Sequence, residues 1–530
     1  MDARMYGARE ISRRDALTWA GAAAIGVAGA GLLASCTGRG GRTGPVGSGV
    51  AGTPVRGGRF IVGAIGGPVT GTINPLTYND VPGSIRAATL YNRLFRLDED
   101  LKQLVPQLAV SAEPNATATV WTLQLRDGVT FHDGKPFGAD DVVHTFGVWA
   151  DPTVFVASAI TPLVDLKGVR KLGPLTVEIP LIAPIAAFDT LLTGPSVVQA
   201  GSTLASLSQK AIGTGPFTLV SSAPGQTVLA ANKNYWEHGK PYVDDLVINS
   251  SFSDETARLN ALLSGQINII GGIAASAAKQ QESSGQVTIL RAHSNAPLYF
   301  SMRTDKAPFN DVRVRQALRL VADRQELIND ALSGYGTVGN DLLGTGTQYF
   351  AANLTRSRDV DQAKALLKAA GQEGLSVTLR IAAAFPGATE SATLFQQQAK
   401  AAGININLET GTPASYFQPA SGWPYSFGED GWGISFPSLT AAYNGVAGLN
   451  ESGWNPAQDP TLSAASAALD KSKAAQLWAT VQREQFDTGG YLIWAQPDFL
   501  DAVAKKVHGL QTTAAGNLNS YRLQDGWLAR

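Results

Sequence analysis

A strand–helix–strand pattern in the last third of the chain is the feature that most constrains its fold. The segments SVTLRIAAA, TLFQQQAKAAG and ININLET follow one another between Ser376 and Thr410. A strand, an amphipathic helix and a second strand in this order form a βαβ unit. Because strand and helix patterns alternate along most of the chain, the sequence predicts an α/β fold with several crossovers.

Other segments have equally clear periodicities. RFIVGAI, Arg59–Ile65, predicts a short buried strand. In VWTLQL, the apolar Trp121, Leu123 and Leu125 alternate with polar residues, which predicts a strand with one buried face. Apolar residues at helical spacing in SIRAATLYNRLFRL predict a helix that extends from Ile85 to Phe95.

Helix ends can also be predicted from capping residues. Asn310 or Asp311 is a suitable N-cap for the helix in APFNDVRVRQALRLV. The helix in GADDVVHTFGVW begins with a cap at Asp140 or a neighbouring residue. Gly371 follows the helix DVDQAKALLKAA in the position where a glycine ends a helix.

The beginning of the chain has the layout of an export signal. Arg13 and Arg14 precede an uncharged run from Ala16 to Gly38, which contains Cys36, the one cysteine of the chain. A charged region, an apolar region and small residues at a cleavage point define such a signal. A permanent transmembrane helix is the alternative, but the run consists mostly of Ala and Gly, and a stable span needs about 20 strongly apolar residues.

Size and charge narrow the class of protein. Residues 36–56 contain little apolar bulk and predict a flexible tether. About 470 residues remain, which is too long for one core, so two or three lobes are expected. With 42 basic and 43 acidic residues, the formal charge of -1 gives no basis for nucleic-acid binding. A single cysteine excludes an intramolecular disulfide.

Two motifs at the chain start resemble known targeting signals. SRRDALT is similar to a twin-arginine signal, from which it departs at Ala16 and Thr18. LASC resembles the lipobox of bacterial lipoproteins, which implies that Cys36 is acylated and becomes the amino terminus. The resemblance implies an extracytoplasmic protein that is anchored by lipid to the outer face of the cytoplasmic membrane. Two acyl chains hold a protein stably at a membrane.

The mature chain resembles a family of transport receptors. Between Gly57 and Asp330 the following motifs occur in order: LRDGVTFHDGKPFGADDV, GTGPF, NKNYW, LLSGQIN, and APFNDVRVRQAL with ADR. This ordered set is similar to the extracytoplasmic solute-binding proteins of ABC importers, in the large peptide- and nickel-binding family, family 5. The resemblance implies that the chain binds a small solute and delivers it to a membrane permease.

Membership in that family implies a three-lobed, periplasmic-binding-protein-like α/β fold. Two mixed α/β lobes close on a cleft, and the extra lobe packs on the first. In this sequence the division predicts a signal peptide at 1–35, the tether at 36–56, lobe I at 57–97 with 198–290 and 505–530, lobe II at 98–197, and lobe III at 291–504.

The same resemblance implies where the ligand lies. In the family, a lobe-III segment with a GW-x-x-D motif lines the cleft, and its Asp pairs with the α-amino group of a peptide. The matching stretch is EDGWGISFPS, in which Trp432 matches the Trp and Ser435 stands at the Asp position. We expect Trp432 to stack on the ligand and Ser435 to form a neutral hydrogen bond. Asp430 or Glu429, shifted along the loop, is expected to supply the counter-charge, and Tyr425 is expected to add an aromatic face.

A second cleft loop is expected near the beginning of the mature chain. INPLTYNDVPGS resembles the LDP…VP loop of the family, which also faces the ligand. This match assigns Tyr78, Asn79 and Asp80 to the binding site.

The composition of one segment indicates the ligand class without reference to any family. From Ala401 to Asp470 there is no Lys or Arg, and nine aromatic residues lie between Tyr416 and Trp454. A packed core explains part of this excess. The remainder predicts a cleft wall for a neutral or cationic solute with a flat or apolar part. An anionic ligand would require an Arg fork in this segment. Together with this composition, the family resemblance implies a peptide as the first choice and an oligosaccharide as the second.

Other functional classes receive less support. Motifs of metalloproteases, serine hydrolases and phosphate-binding loops are absent from the sequence, so an enzyme is not expected, and neither is a cofactor or metal. His132, in FHDG, is expected to be a turn residue whose ring is hydrogen-bonded. A sensor that has the fold but does not transport remains an alternative, since fold does not determine function. We expect a monomer.

Overall fold

The computed structural model describes residues 52–66, 72–78, 80–99, 101–151, 153–154, 157, 160–382, 385, 387–412, 416, 424–431, 450–454 and 459–529. Helices and strands alternate along these residues, which confirms the predicted α/β class. None of the described helices combines the length and the apolar character needed to cross a bilayer.

The strands belong to one large mixed sheet and three small antiparallel sheets. Their bounds are β1 Arg59–Ile65, β2 Phe95–Leu97, β3 Leu104–Pro106, β4 Ala109–Pro114, β5 Val120–Leu125, β6 Arg170–Gly173, β7 Thr176–Pro180, β8 Phe217–Ala223, β9 Gln226–Ala231, β10 Asp245–Phe252, β11 Ile269–Gly271, β12 Thr288–His293, β13 Leu298–Met302, β14 Gly336–Val338, β15 Ser376–Ala382, β16 Asn405–Gly411, β17 Phe427–Gly431, β18 Tyr491–Val503, β19 Val507–His508 and β20 Trp527–Leu528.

The helices pack on the sheets and on one another. Their bounds are α1 Val81–Leu90, α2 Ala139–Trp149, α3 Phe188–Leu191, α4 Leu204–Leu207, α5 Glu255–Leu263, α6 Ala275–Ser284, α7 Val312–Val321, α8 Arg324–Ala331, α9 Val360–Ala369, α10 Ala388–Lys400, α11 Pro460–Ala467 and α12 Lys471–Thr488. Short 3-10 helices cover Thr161–Leu163 and Leu523–Asp525.

The long strand β18 divides the large sheet into two sections. In the first section, β1 pairs in parallel with β10 and β11, and β18 follows antiparallel to β11 and β12. In the second section, β15 pairs in parallel with β16 and β17, and β13 links β17 to β18. Because β18 takes part in both sections, it connects two separate sheet ladders with one continuous strand.

Two separate apolar cores accompany these sections. One core includes Phe60, Leu246 and Ile269 from the first section and extends to Trp121 and Phe146 around the four-stranded sheet β4-β5-β7-β6. The other core joins β13, β15, β17 and β18 to the helices α7, α8, α9 and α10. Each section therefore buries its own hydrophobic surface, which is the main stabilising contribution to a folded unit.

Most predicted elements are confirmed, and one has a different end. β1, β5 and the β15–α10–β16 unit lie where the patterns indicated. Asp311 caps α7, with its side chain accepting from the Arg313 amide at 2.9 Å. The helix predicted to extend from Ile85 to Phe95 ends at Leu90, so this prediction was wrong beyond that residue. Tyr91 has an extended backbone at the end of α1, and the chain then enters β2.

The remaining predicted caps are also resolved by the structure. At the start of α2, the Asp141 carboxylate accepts a hydrogen bond from the Gly138 amide at 2.8 Å. The capping contact is therefore made by Asp141, a neighbour of Asp140. Gly371 has a φ of 68° just after α9. A residue with a side chain would be strained in that left-handed conformation, which explains the glycine.

Candidate functional site

The carboxyl ends of the parallel strands in both sections point toward the middle of β18. In the first section, Gly271 at the end of β11 lies opposite Asp501. In the second, Leu298 lies opposite both Gly431, at the end of β17, and Ala495. The two edges therefore flank the residues of β18 between Ala495 and Asp501. Because ligands of open α/β sheets bind outside the carboxyl ends of the strands, we place the candidate site at this junction.

Two chain segments pass between the sections at this point, residues 294–297 and 496–497, and we call them the crossing. Beside it, the fully buried Asp498 carboxylate lies 2.5 Å from Arg291 Nε and 2.7 Å from His293 Nδ1. The Arg291 guanidinium in turn lies 4.7 Å from the centre of the Tyr335 ring. The hydrogen bond to Asp498 raises the pKa of His293. These contacts fix β12 against β18 at the edge of the crossing.

The predicted loop at Tyr78 and Asp80 leads from the carboxyl end of β1 into α1. The Tyr78 side chain is buried, and its hydroxyl forms a hydrogen bond with Arg93; burial raises the pKa of Tyr78, and the Arg93 charge opposes this. Asp80 Oδ1 accepts from the Gly83 amide at 2.5 Å and lies 3.8 Å from Arg86 Nη2. Asp80 thus caps α1, and its role toward a ligand stays a prediction.

Arg93 is a charged residue of this region that the sequence analysis missed. Its Nη1 donates to the Thr193 carbonyl at 3.1 Å, and the Tyr78 hydroxyl is its other side-chain partner. Burial lowers the pKa of Arg93, and Tyr78 opposes this effect. No carboxylate of the described residues forms an ion pair with it. A partly buried guanidinium with spare N–H donors can receive a carboxylate.

Two adjacent acids at the end of β17 lie on opposite faces of the sheet. Glu429 pairs with Phe300 and accepts a hydrogen bond from Ser391 Oγ on α10, on the core side. Asp430 pairs with Tyr299 and so projects to the other face. Burial raises the pKa of Glu429 well above its usual range. The hydrogen bond from Ser391 lowers this pKa, whereas the Asp430 charge raises it further. Of the two acids, Asp430 is therefore the candidate counter-charge for a cation.

Tyr425 lies directly before β17 and supports that strand. Its ring stacks on the Tyr416 ring with centres 4.9 Å apart, and its hydroxyl donates to the Tyr416 carbonyl at 3.0 Å. The Tyr416 hydroxyl donates to the Glu429 carbonyl at 2.7 Å, and the Arg380 guanidinium lies 5.6 Å from the centre of the Tyr425 ring. Tyr425 is thus linked to Glu429 through Tyr416. Its own contact with a ligand stays a prediction.

The other predicted site residues lie outside the described residues. They are Asn79, Trp432 and Ser435 in the cleft loops and Cys36 at the proposed lipidation site. Their roles remain the predictions made from the sequence.

His132 has the structural role expected from its turn motif. Its Nε2 lies 3.1 Å from the Gly215 carbonyl, and its Nδ1 accepts from the Gly213 amide at 3.3 Å. Burial lowers the pKa of this imidazole, although its contacts with backbone carbonyls raise the pKa and so oppose part of this effect. Both ring nitrogens are thus occupied by backbone groups. Within the described part of the chain, no cluster of three or more His, Cys, Asp or Glu side chains could hold a metal ion.

The crossing contains two buried carboxamide residues that the sequence analysis did not select. Asn295 and Gln496 are each 1% exposed. Gln496 is one polar side chain in the otherwise apolar run YLIWAQP of β18, and this interruption was a usable signal. Arg93 had no comparable signal, because its partners Tyr78 and Thr193 are distant in sequence.

The fold and the junction define a class of protein, a receptor with a ligand cleft between two α/β sections. The family model of bacterial extracellular solute-binding proteins, family 5, matches residues 103–454. The chain belongs to this family, which confirms the family predicted from the motifs. The family consists of solute-binding proteins and not of enzymes.

Individual relatives agree with this assignment. The glutathione-binding protein GsiB of Pectobacterium atrosepticum is 27% identical over 486 residues, which cover 86% of this chain and 92% of that relative. The ABC transporter substrate-binding protein CtaP of Listeria monocytogenes aligns with a TM-score of 0.76 at 23% identity, over 90% of this chain and 100% of that one. The oligopeptide-binding protein AppA of Bacillus subtilis, solved with a nonapeptide, aligns with a TM-score of 0.71 at 23% identity and the same coverage. The two structural matches establish the fold.

Proposed function

We propose that this protein is the substrate-binding lipoprotein of an ABC importer and that it captures a short peptide at the junction of the two sheet sections. The permease subunits of the importer would then receive the peptide. In this proposal the three lobes have the boundaries predicted above, and the chain acts as a monomer on the outer face of the cytoplasmic membrane. Acylated Cys36 anchors it, and the twin-arginine signal directs its export.

The distribution of charge around the junction is the observation that carries the peptide proposal. Asp430 lies at the carboxyl end of β17 in the second section, and Arg93 supports the loop that follows β1 in the first. A short peptide carries an ammonium group and a carboxylate, and these two residues offer one opposite charge for each. The names of the relatives, a glutathione-binding protein and an oligopeptide-binding protein, support the same ligand class.

An oligosaccharide or another neutral or cationic solute is the second candidate. The segment from Ala401 to Asp470, with nine aromatics between Tyr416 and Trp454 and no Lys or Arg, favours it. Flat aromatic faces bind sugar rings as well as apolar side chains. A sensor without transport would use the same pocket.

Calorimetry on protein that has been unfolded and refolded to remove bound solute tests the proposal. The panel contains glutathione, trialanine, maltotriose and succinate. We expect binding of at least one of the two peptides and none of succinate. Trp432→Ala should weaken peptide binding by about 1–3 kcal/mol, since a stacking wall is lost. Binding of maltotriose alone would favour the second candidate, and tight binding of succinate would contradict the account of the pocket.

A further inference from the structure

The crossing contains two buried carboxamides, one in each of its segments. The β12–β18 ladder ends with the pair His293 and Asp498. The next ladder of β18 starts with the pair Leu298 and Ala495, so Asn295 and Gln496 both lie between the two ladders. Both amide side chains therefore lie at the point where the chain passes between the two sections.

Gln496 has an unusual hydrogen-bonding state. Its side chain is 1% exposed, yet no group of the described residues forms a hydrogen bond with its Oε1 or Nε2. A buried amide without partners costs about 1–3 kcal/mol. Because native proteins rarely retain such a group without a reason, an unpaired buried amide beside a ligand site calls for an explanation.

The backbone around Gln496 is held by strand pairing, to which its side chain does not contribute. Thr337 of β14 pairs with Gln496 through the ladder, and Ala495 pairs with both Leu298 and Val338. Ala495 and Trp494 belong to the core of the second section. An apolar residue of similar size would satisfy the strand without leaving polar atoms unpaired.

We propose that the Gln496 carboxamide is a ligand-contact group that hydrogen-bonds an amide of the captured peptide at the base of the cleft. The assignment rests on the proposed function and refines its substrate class to solutes that contain an amide. A carboxamide offers a donor and an acceptor side by side, which matches the N–H and C=O of a peptide group. A solute without an amide leaves Gln496 unpaired, and a site that hydrogen-bonds its ligand rejects analogues that lack the partner.

The test compares trialanine with depsipeptide analogues in which one amide is replaced by an ester. Calorimetry is performed on the wild-type protein, on Gln496→Met, and on Gln524→Met as a matched control. Gln524 is also buried, at 3% exposure, and among the described residues its Oε1 likewise has no partner, but it lies near the C-terminus and outside the crossing. Melting temperatures show whether each variant folds.

We expect wild type and Gln524→Met to bind trialanine at least 10-fold more tightly than one of the ester analogues. Gln496→Met should bind trialanine roughly 10- to 100-fold more weakly and should no longer distinguish amide from ester, with its melting temperature unchanged or higher. If Gln496→Met retains both the affinity and the discrimination, this assignment is overturned and the proposed function stands. If the wild type binds neither glutathione nor trialanine, the proposed function fails and the assignment with it.

Discussion

At the scale of single residues, a buried carboxylate is surrounded by three arginines beside the second section. Asp341 is fully buried and lies 2.7 Å from Arg324, 2.9 Å from Arg356 and 3.9 Å from Arg319. Burial alone would raise the pKa of Asp341, but the three guanidinium groups outweigh it and the pKa is lowered. The carboxylate therefore stabilises the fold above its usual pKa, and this contribution is lost as the pH falls through the lowered value.

Asp341→Asn should destabilise the protein strongly, because it leaves buried arginines without a counter-charge. We expect a loss of about 3–5 kcal/mol in the free energy of unfolding, measured with urea at pH 7. Asp361→Asn is the control: Asp361 is exposed and lies 3.6 Å from Lys364, so its removal should change stability by less than about 0.5 kcal/mol. Equal losses in the two variants would show that the buried cluster does not require its carboxylate.

Glu429 predicts a pH dependence of the opposite sign. Burial raises its pKa in the folded state, so between its usual pKa and the raised one the unfolded chain ionises while the native protein stays protonated. Stability therefore falls as pH rises through that interval. Glu429→Gln cannot ionise and can still accept from Ser391, so its gain in stability over wild type should be larger at pH 7 than at pH 4.

Urea unfolding at both pH values measures this difference. Glu373→Gln is the matched control, because Glu373 is an exposed residue of the same section, between α9 and β15. It should show nearly the same stability difference at pH 4 and pH 7. A gain for Glu429→Gln that is equal at both values would mean that this acid ionises normally in the folded protein.

At the scale of elements, two arginines of α7 bind backbone carbonyls at the end of α12. Arg315 Nε donates to the Gly489 carbonyl at 3.0 Å, and Arg319 Nε donates to the Tyr491 carbonyl at 2.9 Å. Other nitrogens of these guanidinium groups reach the Thr488 and Phe486 carbonyls. The last carbonyls of a helix have no partner within the helix and carry partial negative charge. The motif APFNDVRVRQALRL is therefore structural.

Arg315→Lys should weaken this contact between α7 and α12. Lysine retains the charge but not the planar fork that reaches several carbonyls, so we expect a loss of about 1–3 kcal/mol in the free energy of unfolding. Arg483→Lys, at an exposed position of α12, should change stability by less than about 0.5 kcal/mol. Thermal and urea unfolding of both variants measure the effect. A neutral Arg315→Lys would refute the role of the fork.

The elements also show what could and could not be predicted from the sequence. Local signals were sufficient for β1, α10 and the Asp311 cap, because periodicity and capping act over a few residues. The apolar spacing of Ile85 and Phe95 was misleading, since it does not encode the extended backbone at Tyr91. The division of β18 between two sections depends on pairing with strands some 200 residues away in sequence, and no local pattern reports it.

The candidate site was predictable only in part, for the same reason. The loop with Tyr78 and Asp80 was identified by its family motif, but the hydrogen bond between Tyr78 and Arg93 and the capping role of Asp80 follow from tertiary contacts. Neither the unpaired state of Gln496 nor the opposite faces of Glu429 and Asp430 can be recognised before the strands are paired.

At the scale of the whole molecule, the two sections have separate cores and share β18. A structure in which few segments cross between two packed units can close on a ligand by small changes at the crossing. In the proposed function, a flexible tether at 36–56 would leave this unit free to meet a permease if Cys36 is lipidated.

Cys36→Ser tests the anchor directly. Removal of the acylated sulfur should leave the protein exported but released from the membrane fraction, because a serine cannot carry the thioether-linked lipid. Fractionation of the native host followed by immunoblotting measures the distribution, with Thr37→Ser as the control that should stay membrane-bound. A Cys36→Ser protein that remains in the membrane as fully as wild type would require another anchor.

Native mass spectrometry of the protein purified from its own host tests the central claim, that the junction captures a peptide. We predict a non-covalent adduct that is released on gentle activation. The fragmentation spectrum of the released molecule should show amino acids that were joined by amide bonds. Gln496→Met, purified in the same way, should retain less of this adduct. A bound dicarboxylate, or a solute without any amide bond, would contradict the account.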